Sequence, residues 1–401
     1  MNRFTPNVGN STSPGRGAGT MRRTGNRLLN LGIADLAGAC LTGVGFAGLT
    51  LFSLGLSFSD ARAEFSETAS LSGSALAVHN LIGKVTVEGY DGLEFQVTAT
   101  VKGSDGSREN VRVESGSGAD AHFRVVYPKR EDDFVYPPLG YGSTTTFTLS
   151  EGEDDEHWLM QLFSGINGDR IRVRGHGKGL EAWADITVKV PRGKSVKVRL
   201  GVGEAVATNV DGDVDLAVHS GSLEGDHVRG ELRLDSGSGS VLAREVDGDL
   251  WADTGSGNVL VDGVRGRKVT IDTGSGRVDA SGIECDALAI DTGSGSIDAL
   301  NCAADDARLD TGSGSIEAAF TRVGDGRFLF DTGSGSIDLH LPREATGDFE
   351  ADTGAGNIRI EVHDPRNIEK GETNASFTLG NGAAHFKLDS GSGQIRITQE
   401  M

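Results

Sequence analysis

An acidic motif recurs through the second half of the chain. The string Asp-(Thr/Ser)-Gly-(Ser/Ala)-Gly-x-(Val/Ile) occurs eight times. Its copies begin at Asp235, Asp253, Asp272, Asp291, Asp310, Asp331, Asp352 and Asp389. Aspartates next to hydroxyl side chains indicate two kinds of chemistry: proton transfer between paired carboxylates, or binding of a cation that prefers oxygen ligands.

The first chemistry is that of aspartic peptidases, whose catalytic strand reads Asp-Thr-Gly after apolar residues, as Leu329–Ser334 does here. Such an enzyme needs two carboxylates that share a proton, one from each of two lobes. This chain has seven copies with Ser in the fourth position and one with Ala, at regular spacing. Because one structural repeat explains all of them, we predict no peptidase activity.

The second chemistry depends on how the copies stack. The repeated aspartates alternate with apolar residues, so stacked strands would align their carboxylates in a column about 4.8 Å apart. Backbone N–H groups of the turn or bridging cations would offset the repulsion. We expect aspartates that form turns, and a weak calcium site is the alternative. The calcium candidates are Asp272, Asp291, Asp310 and Asp331.

The spacing of the motif indicates the elements that position it. Successive copies are separated by 18, 19, 19, 19, 21, 21 and 37 residues, a period typical of solenoids. Apolar residues alternate within each copy, as in a strand, and the alternation slips by one at the second glycine. A second corner is predicted near Gly212, Gly230 and Gly248. The sequence therefore predicts an all-β, single-stranded β-solenoid with coils of about 19 residues. Inward threonines such as Thr273 are expected to hydrogen-bond to one another.

Composition and charge agree with a repeat and exclude some partners. Glycine supplies 60 of the 401 residues, which corner positions would explain. The net charge of -20 opposes binding to nucleic acid or to anionic lipid. The histidines show no metal-ligand spacing and no Cys-x-x-Cys occurs, so no cofactor is predicted beyond weak calcium.

Residues 1–63 have the order of an export signal. Arginines up to Arg27 precede an apolar stretch from Leu28 to Phe58, followed by the small-residue triplet Ala61-Arg62-Ala63. We expect a signal peptide that is cleaved before Glu64, with Met21 as an alternative start. An uncleaved membrane anchor is the alternative outcome. The expected location is extracytoplasmic: the periplasm, the cell surface or the medium.

Two cysteines, Cys285 and Cys302, follow the signal segment. They lie in adjacent predicted coils, two positions out of register. An oxidising compartment permits one disulfide between them if the corner loops bend together.

Parts of the chain resemble a known family. Ala184–Gly193, Val210–Val214 and the Gly-Ser-Gly-x-Ile copies resemble the bacterial putative-adhesin family of β-strand repeats, a domain of unknown function. The resemblance covers residues 70–125 and 179–399, implies an exported β-solenoid and brings no catalytic residues. Residues 127–178 depart from the repeat. The predicted organisation is a signal peptide (1–63), an N-terminal β segment with the first coils (64–126), an irregular insertion or cap (127–178) and the regular solenoid (179–401).

Two of the three tryptophans and three of the four tyrosines fall in or beside the insertion. Aromatic rings contribute much of the binding energy at interfaces and stack on sugars. The candidate ligand-binding residues are Tyr127, Tyr136, Tyr141, Trp158 and Trp183. The alternative is that these rings cap the solenoid by covering its apolar core.

These observations favour a non-enzymatic, extracytoplasmic β-solenoid that binds a surface in the manner of an adhesin or serves as an envelope scaffold. The expected partner is an envelope protein or a glycan. One alternative is a β-helix enzyme that acts on polysaccharides, with its groove built by the insertion. Another is a sensory or regulatory envelope protein that acts through a protein partner.

Overall fold

The computed structural model describes residues 64–128, 131–148, 162 and 170–400. The predicted signal peptide and Trp158 lie outside these residues. The described chain is built from strands and one short 3-10 turn, Pro137–Leu139, which confirms the all-β class. Within the same ranges, no helix has the length and apolar character of a membrane span.

The strands form an N-terminal group, a lateral group, a long series of coils and a C-terminal group. The first group is β1 (Phe65–Leu71), β2 (Ala75–Tyr90), β3 (Phe95–Lys102), β4 (Arg112–Gly116) and β5 (His122–Val126). The lateral group is β6 (Asp133–Val135), β7 (Thr144–Thr148) and β8 (Arg170–Arg174). β9 (Trp183–Pro191) and β10 (Ser195–Thr208) lead into the coils.

The coils contain β11 (Val214–Ser220), β12 (Leu223–Arg229), β13 (Leu232–Ser236), β14 (Val241–Asp247), β15 (Leu250–Thr254), β16 (Val259–Arg265), β17 (Lys268–Thr273), β18 (Val278–Thr292), β19 (Ile297–Thr311), β20 (Ile316–Val323), β21 (Arg327–Thr332) and β22 (Ile337–Leu341). The last group is β23 (Gly347–Thr353), β24 (Ile358–Glu361), β25 (Arg366–Lys370), β26 (Asn374–Leu379), β27 (Ala384–Ser390) and β28 (Ile395–Gln399).

Successive coils stack in parallel register on two faces, as the repeat predicts. On the aspartate face, which carries the motif aspartates, β13 pairs with β15 and β15 with β17. On the opposite face, β12 pairs with β14 and β14 with β16. Val269 and Ile271 point into the core, with exposed fractions of 0% and 1%, while Thr270 between them faces outward. The predicted β-solenoid is therefore confirmed, and its core is the apolar column between the two faces.

Glycine is required where the coils turn. A Cβ atom on Gly276 would lie 1.8 Å from the carbonyl oxygen of Gly257 in the preceding coil. The second corner uses glycines in the left-handed half of backbone space, such as Gly230 with φ of 140°. Stacked coils approach too closely at these corners for any side chain.

Threonine side chains close the motif turn from inside the coil. The Thr292 hydroxyl donates to the carbonyl of Gly276 in the preceding coil at 3.1 Å and accepts from the Gly295 amide at 3.1 Å. The same donation recurs from Thr311 to Gly295. The expectation that these hydroxyls bond to one another is wrong, because each reaches backbone groups that the corner would otherwise leave unpaired.

The N-terminal coil is distant in sequence from the coil on which it stacks. β2 pairs in parallel with β10, from Ala75 opposite Ser195 to Glu88 opposite Thr208. On one face, β9 pairs with β2, β3 with β9 and β1 with β3. On the other face, β5 pairs with β2 and β4 with β5. The chain therefore leaves the solenoid after its first coil and returns about a hundred residues later.

The C-terminal coil is out of sequence order. β27 lies between β21 and β23, and β28 lies between β22 and β24, all in parallel register. Phe386 of β27 accordingly stacks between Phe328 and Phe349, at ring-centroid distances of 4.8 Å and 4.2 Å. β26 and β25 then add antiparallel strands beyond β23. The 37-residue interval is thus an excursion that returns to insert a coil.

Candidate functional site

The motif aspartates form one column along the aspartate face. Register pairs join them in the spatial order Asp235, Asp253, Asp272, Asp291, Asp310, Asp331, Asp389 and Asp352. All four calcium candidates are consecutive members of this aspartate column. Neighbouring members are separated by one strand spacing, about 4.8 Å.

Crowding raises the pKa values of aspartates in the column. Burial and the charges of Asp235 and Asp272 raise the pKa of Asp253 to about 6. Burial and the neighbouring carboxylates also raise the pKa values of Asp291 and Asp331. Arg308 lies 2.8 Å from Asp310, which offsets part of the repulsion. The column therefore carries less negative charge at mildly acidic pH than its composition suggests.

The aspartates of the column do not point toward one common position, as the ligands of a metal ion must. Its members project from parallel strands, and the turn hydrogen bonds expected of the aspartates come from the threonines. Across the residues that the structure describes, no three or more His, Cys, Asp or Glu side chains are grouped to hold a metal ion. A calcium ion would need several oxygen ligands around one point.

The predicted aromatic site separates into buried and exposed parts. Tyr127 is 1% exposed; its hydroxyl donates to the Asn80 side chain at 3.0 Å, and burial raises its pKa. Tyr136 is 7% exposed, and burial raises its pKa to about 12. Its ring centroid lies 5.6 Å from that of the half-buried Trp183. Tyr141 is 89% exposed. The buried rings of Tyr127 and Tyr136 offer no face to a ligand.

The insertion covers the solenoid. β6, β7 and β8 form a small sheet whose inner residues include Phe134 and Phe147, 0% and 3% exposed. The Phe147 ring lies 4.6 Å from that of His219 at the end of β11. The side chain of Asn80 is 0% exposed and donates to the carbonyls of Ile82 and Ala184 beneath this cover. The described inner residues of the insertion therefore belong to the same apolar core as the solenoid.

The cysteine pair is buried in the coils. Cys285 and Cys302 are 3% and 0% exposed and are free thiols in the structure. Burial raises the pKa of Cys285 to about 12 and that of Cys302 to about 11. Cys285 stands opposite Ala304, so the two cysteines keep the predicted two-position offset. The disulfide stays a prediction.

A groove on the other side of the solenoid was not predicted. Its floor follows residues with left-handed backbone on successive coils: Asn209 (φ 56°), His227 (φ 55°), Glu245 (φ 48°) and Gly263 (φ 74°). His227, Glu245 and Gly263 interrupt the register pairs of their strands without shifting them, and a left-handed conformation is uncommon for residues other than glycine. The groove has a volume of about 480 Å³ and reaches Tyr90 in the first coil.

The wall of the groove alternates in charge. Asp211, Arg229, Asp247 and Arg265 occupy one register position on four successive coils. In the part of the chain that the structure describes, the side chains of Arg229 and Asp247 form no ion pair. Their polar atoms are therefore available to a ligand.

The sequence did carry a signal for this groove. Asn209, His227, Glu245 and Gly263 each stand three residues before a corner glycine, at Gly212, Gly230, Gly248 and Gly266. The second corner was predicted only near these glycines. Asn and Gly are the residues that most readily adopt the left-handed conformation, so their recurrence at this position indicates a left-handed residue before the corner.

A family model described as Toastrack DUF4097 matches residues 90–398. The chain belongs to this Toastrack family. The match confirms the resemblance seen in the sequence, and most of the groove and the whole aspartate column lie within the Toastrack region. No curated protein matches the chain.

Solved structures similar to this Toastrack chain have low sequence identity. A "putative cell adhesion protein" from Clostridium sporogenes is 10% identical over 84% of this chain and 100% of its own, with a TM-score of 0.17. A "putative adhesin" from Bacteroides fragilis is 9% identical over 83% and 96%, with a TM-score of 0.32. A "putative lipid binding protein" from Parabacteroides distasonis is 11% identical over 83% and 96%, with a TM-score of 0.36.

Proposed function

We propose that this Toastrack protein is an exported, non-enzymatic binding protein of the cell envelope, and that the groove is its binding surface. The groove supports this proposal because it presents exposed polar side chains from successive coils in one concave surface. The rigid solenoid fixes their spacing, which reduces the entropy cost of binding. The export signal read from the sequence supports an extracytoplasmic location.

The aspartate column supports a non-enzymatic role. Catalysis by paired carboxylates depends on environments that move two pKa values apart, so that one group is an acid and the other a base. Here Asp253, Asp291 and Asp331 all shift in the same direction, for the same causes of burial and neighbouring aspartates. Equivalent aspartates in a repeating column have a structural role.

The packing of the insertion supports placing the binding surface at the groove. The insertion buries Phe134, Phe147 and Tyr127 against the solenoid, as a cap does. The groove residues Asn209, His227 and Glu245 are exposed instead.

Co-sedimentation with purified cell envelope particles tests the proposal. The protein should sediment with the particles, and an Arg229→Met, Arg265→Met double variant should remain in the supernatant. Arg244→Met is the matched control, because Arg244 is exposed on the same face outside the groove and lies 3.7 Å from Glu224. Sedimentation of the double variant equal to that of the unmodified protein would contradict the proposed function.

A further inference from the structure

We propose that the groove binds an extended, uncharged oligosaccharide that lies along the solenoid axis; this inference rests on the proposed function and names its ligand class.

Fixed charges of both signs exclude a strongly ionic ligand. Asp211, Arg229, Asp247 and Arg265 alternate along the wall, with neighbours about 4.8 Å apart. An anion long enough to span two coils meets a carboxylate as well as a guanidinium, and a cation meets the reverse. The net charge of -20 adds a further cost for an anion. The wall therefore favours neither sign.

A peptide ligand gains little here. The apolar residues lining the groove are Val210 and Val246, which are 1% and 2% exposed, so an apolar side chain would find little surface to cover. Addition of a peptide strand needs an open sheet edge. The strands under the groove, such as β12 and β14, already have parallel neighbours on both sides.

The hydroxyl groups of a sugar suit a wall in which arginines and aspartates alternate. A hydroxyl both donates and accepts, so one sugar hydroxyl can accept from an arginine and donate to the aspartate of the next coil. Hydrogen bonds to charged groups are stronger than those between neutral groups. Arg229 and Asp247 stand on adjacent coils with side chains that are exposed. This pair of coils therefore offers a donor and an acceptor to the same ligand group.

The extent of the groove sets the length of the ligand. From the first coil, which carries Tyr90, to the coil of Gly263 is four strand spacings, about 19 Å. The half-buried Tyr90 lines the N-terminal end of the groove. A chain of several sugars fills this length, whereas a monosaccharide contacts one or two coils.

Isothermal titration with defined oligosaccharides tests the inference. The probes are cellotriose, cellohexaose and xylohexaose as neutral chains and hexagalacturonate as the anionic chain of matched length. We expect the neutral hexamers to bind more tightly than the trimer, and hexagalacturonate to bind at least tenfold more weakly. The Arg229→Met, Arg265→Met variant should lose about tenfold or more in affinity, because it lacks two charge-assisted donors. Arg244→Met should bind like the unmodified protein.

The outcomes separate the ligand class from the function. If the double variant no longer sediments with envelope particles but no neutral oligosaccharide binds the unmodified protein, the groove keeps its function and the inferred ligand class is overturned. Tighter binding of hexagalacturonate than of cellohexaose also overturns it. If the double variant still sediments, the proposed function itself fails. Matching thermal unfolding of the variants establishes that the fold is retained.

Discussion

Asp253 stands directly opposite Asp272 of the following coil and directly opposite Asp235 of the preceding coil. Burial and these two carboxylates raise the pKa of Asp253 to about 6. The aspartate column is therefore a source of electrostatic strain at neutral pH that proton binding relieves.

Replacing Asp253 with Asn should stabilise the protein at neutral pH. The folded-state pKa of about 6 is above the unfolded value of 3.8, so ionisation of Asp253 lowers stability fully above about pH 6, and this cost shrinks between pH 6 and 3.8 and is absent only below 3.8. Because the side chain is partly exposed, we discount the shift and expect about 1 kcal/mol at pH 7.5 and about a third of that at pH 4.5. Urea unfolding at both pH values measures the difference. Asp325→Asn, in a turn outside the column, should have little effect at either pH.

Salt should stabilise the protein without selectivity for calcium. Ions screen the repulsion along the column, so the melting temperature should rise as NaCl increases from about 10 mM to about 500 mM. CaCl₂ and MgCl₂ at equal ionic strength should give equal shifts. A rise specific to calcium that Asp291→Asn removes would favour the calcium site instead.

Thr292→Val should be strongly destabilising. The substitution keeps the side-chain shape but removes both hydrogen bonds, leaving the Gly276 carbonyl and the Gly295 amide without this partner. We expect a loss of about 2 kcal/mol in the free energy of unfolding. Thr270→Val is the control, because Thr270 faces outward. Equal melting temperatures for the two variants would refute the role of threonine in closing the turn.

Phe147→Ala should expose the solenoid beneath the insertion. Phe147 is 3% exposed, and its loss should cost about 3 kcal/mol and promote aggregation. Tyr141→Ala, at a residue 89% exposed, should unfold like the unmodified protein. Thermal unfolding and light scattering measure both effects. A Phe147→Ala protein that stays monomeric with an unchanged melting temperature would be inconsistent with a cap.

The mature protein should begin at Glu64. N-terminal sequencing of protein recovered from the cell envelope measures this directly, and the Ala61-Arg62-Ala63 triplet predicts the cleavage point. Recovery of the apolar segment Leu28–Phe58 would indicate a membrane anchor.

The features predicted from the sequence are those that repeat in it. The motif beginning at Asp272 has a strand alternation, a corner glycine and a fixed interval to Asp291, and these three determine the stacking of β17 on β18. The aspartate column follows directly, because in-register stacking repeats every side-chain position.

Features that depend on unique contacts were not predictable. The pairing of β2 with β10 joins degenerate copies separated by the insertion, and no spacing in the sequence indicates that Ala75 stands opposite Ser195. The groove is only partly indicated, because Asn209 and Gly263 favour the left-handed conformation whereas His227 on a coil between them has a side chain that allows strand as readily. Thr273 was correctly placed inside the coil, but alternation does not indicate that its hydroxyl reaches the Gly257 carbonyl.

The insertion of β27 and β28 between earlier coils has a consequence for the order in which the chain is made. Residues 347–361 leave the ribosome before residues 384–399, yet the later segment separates them from β21 and β22. A chain delivered N-terminus first can stack its coils as far as β22 while it is still being synthesised or exported. The next coil reaches its final position only after the later segment arrives, so this end of the solenoid is completed after translation or translocation has passed residue 399.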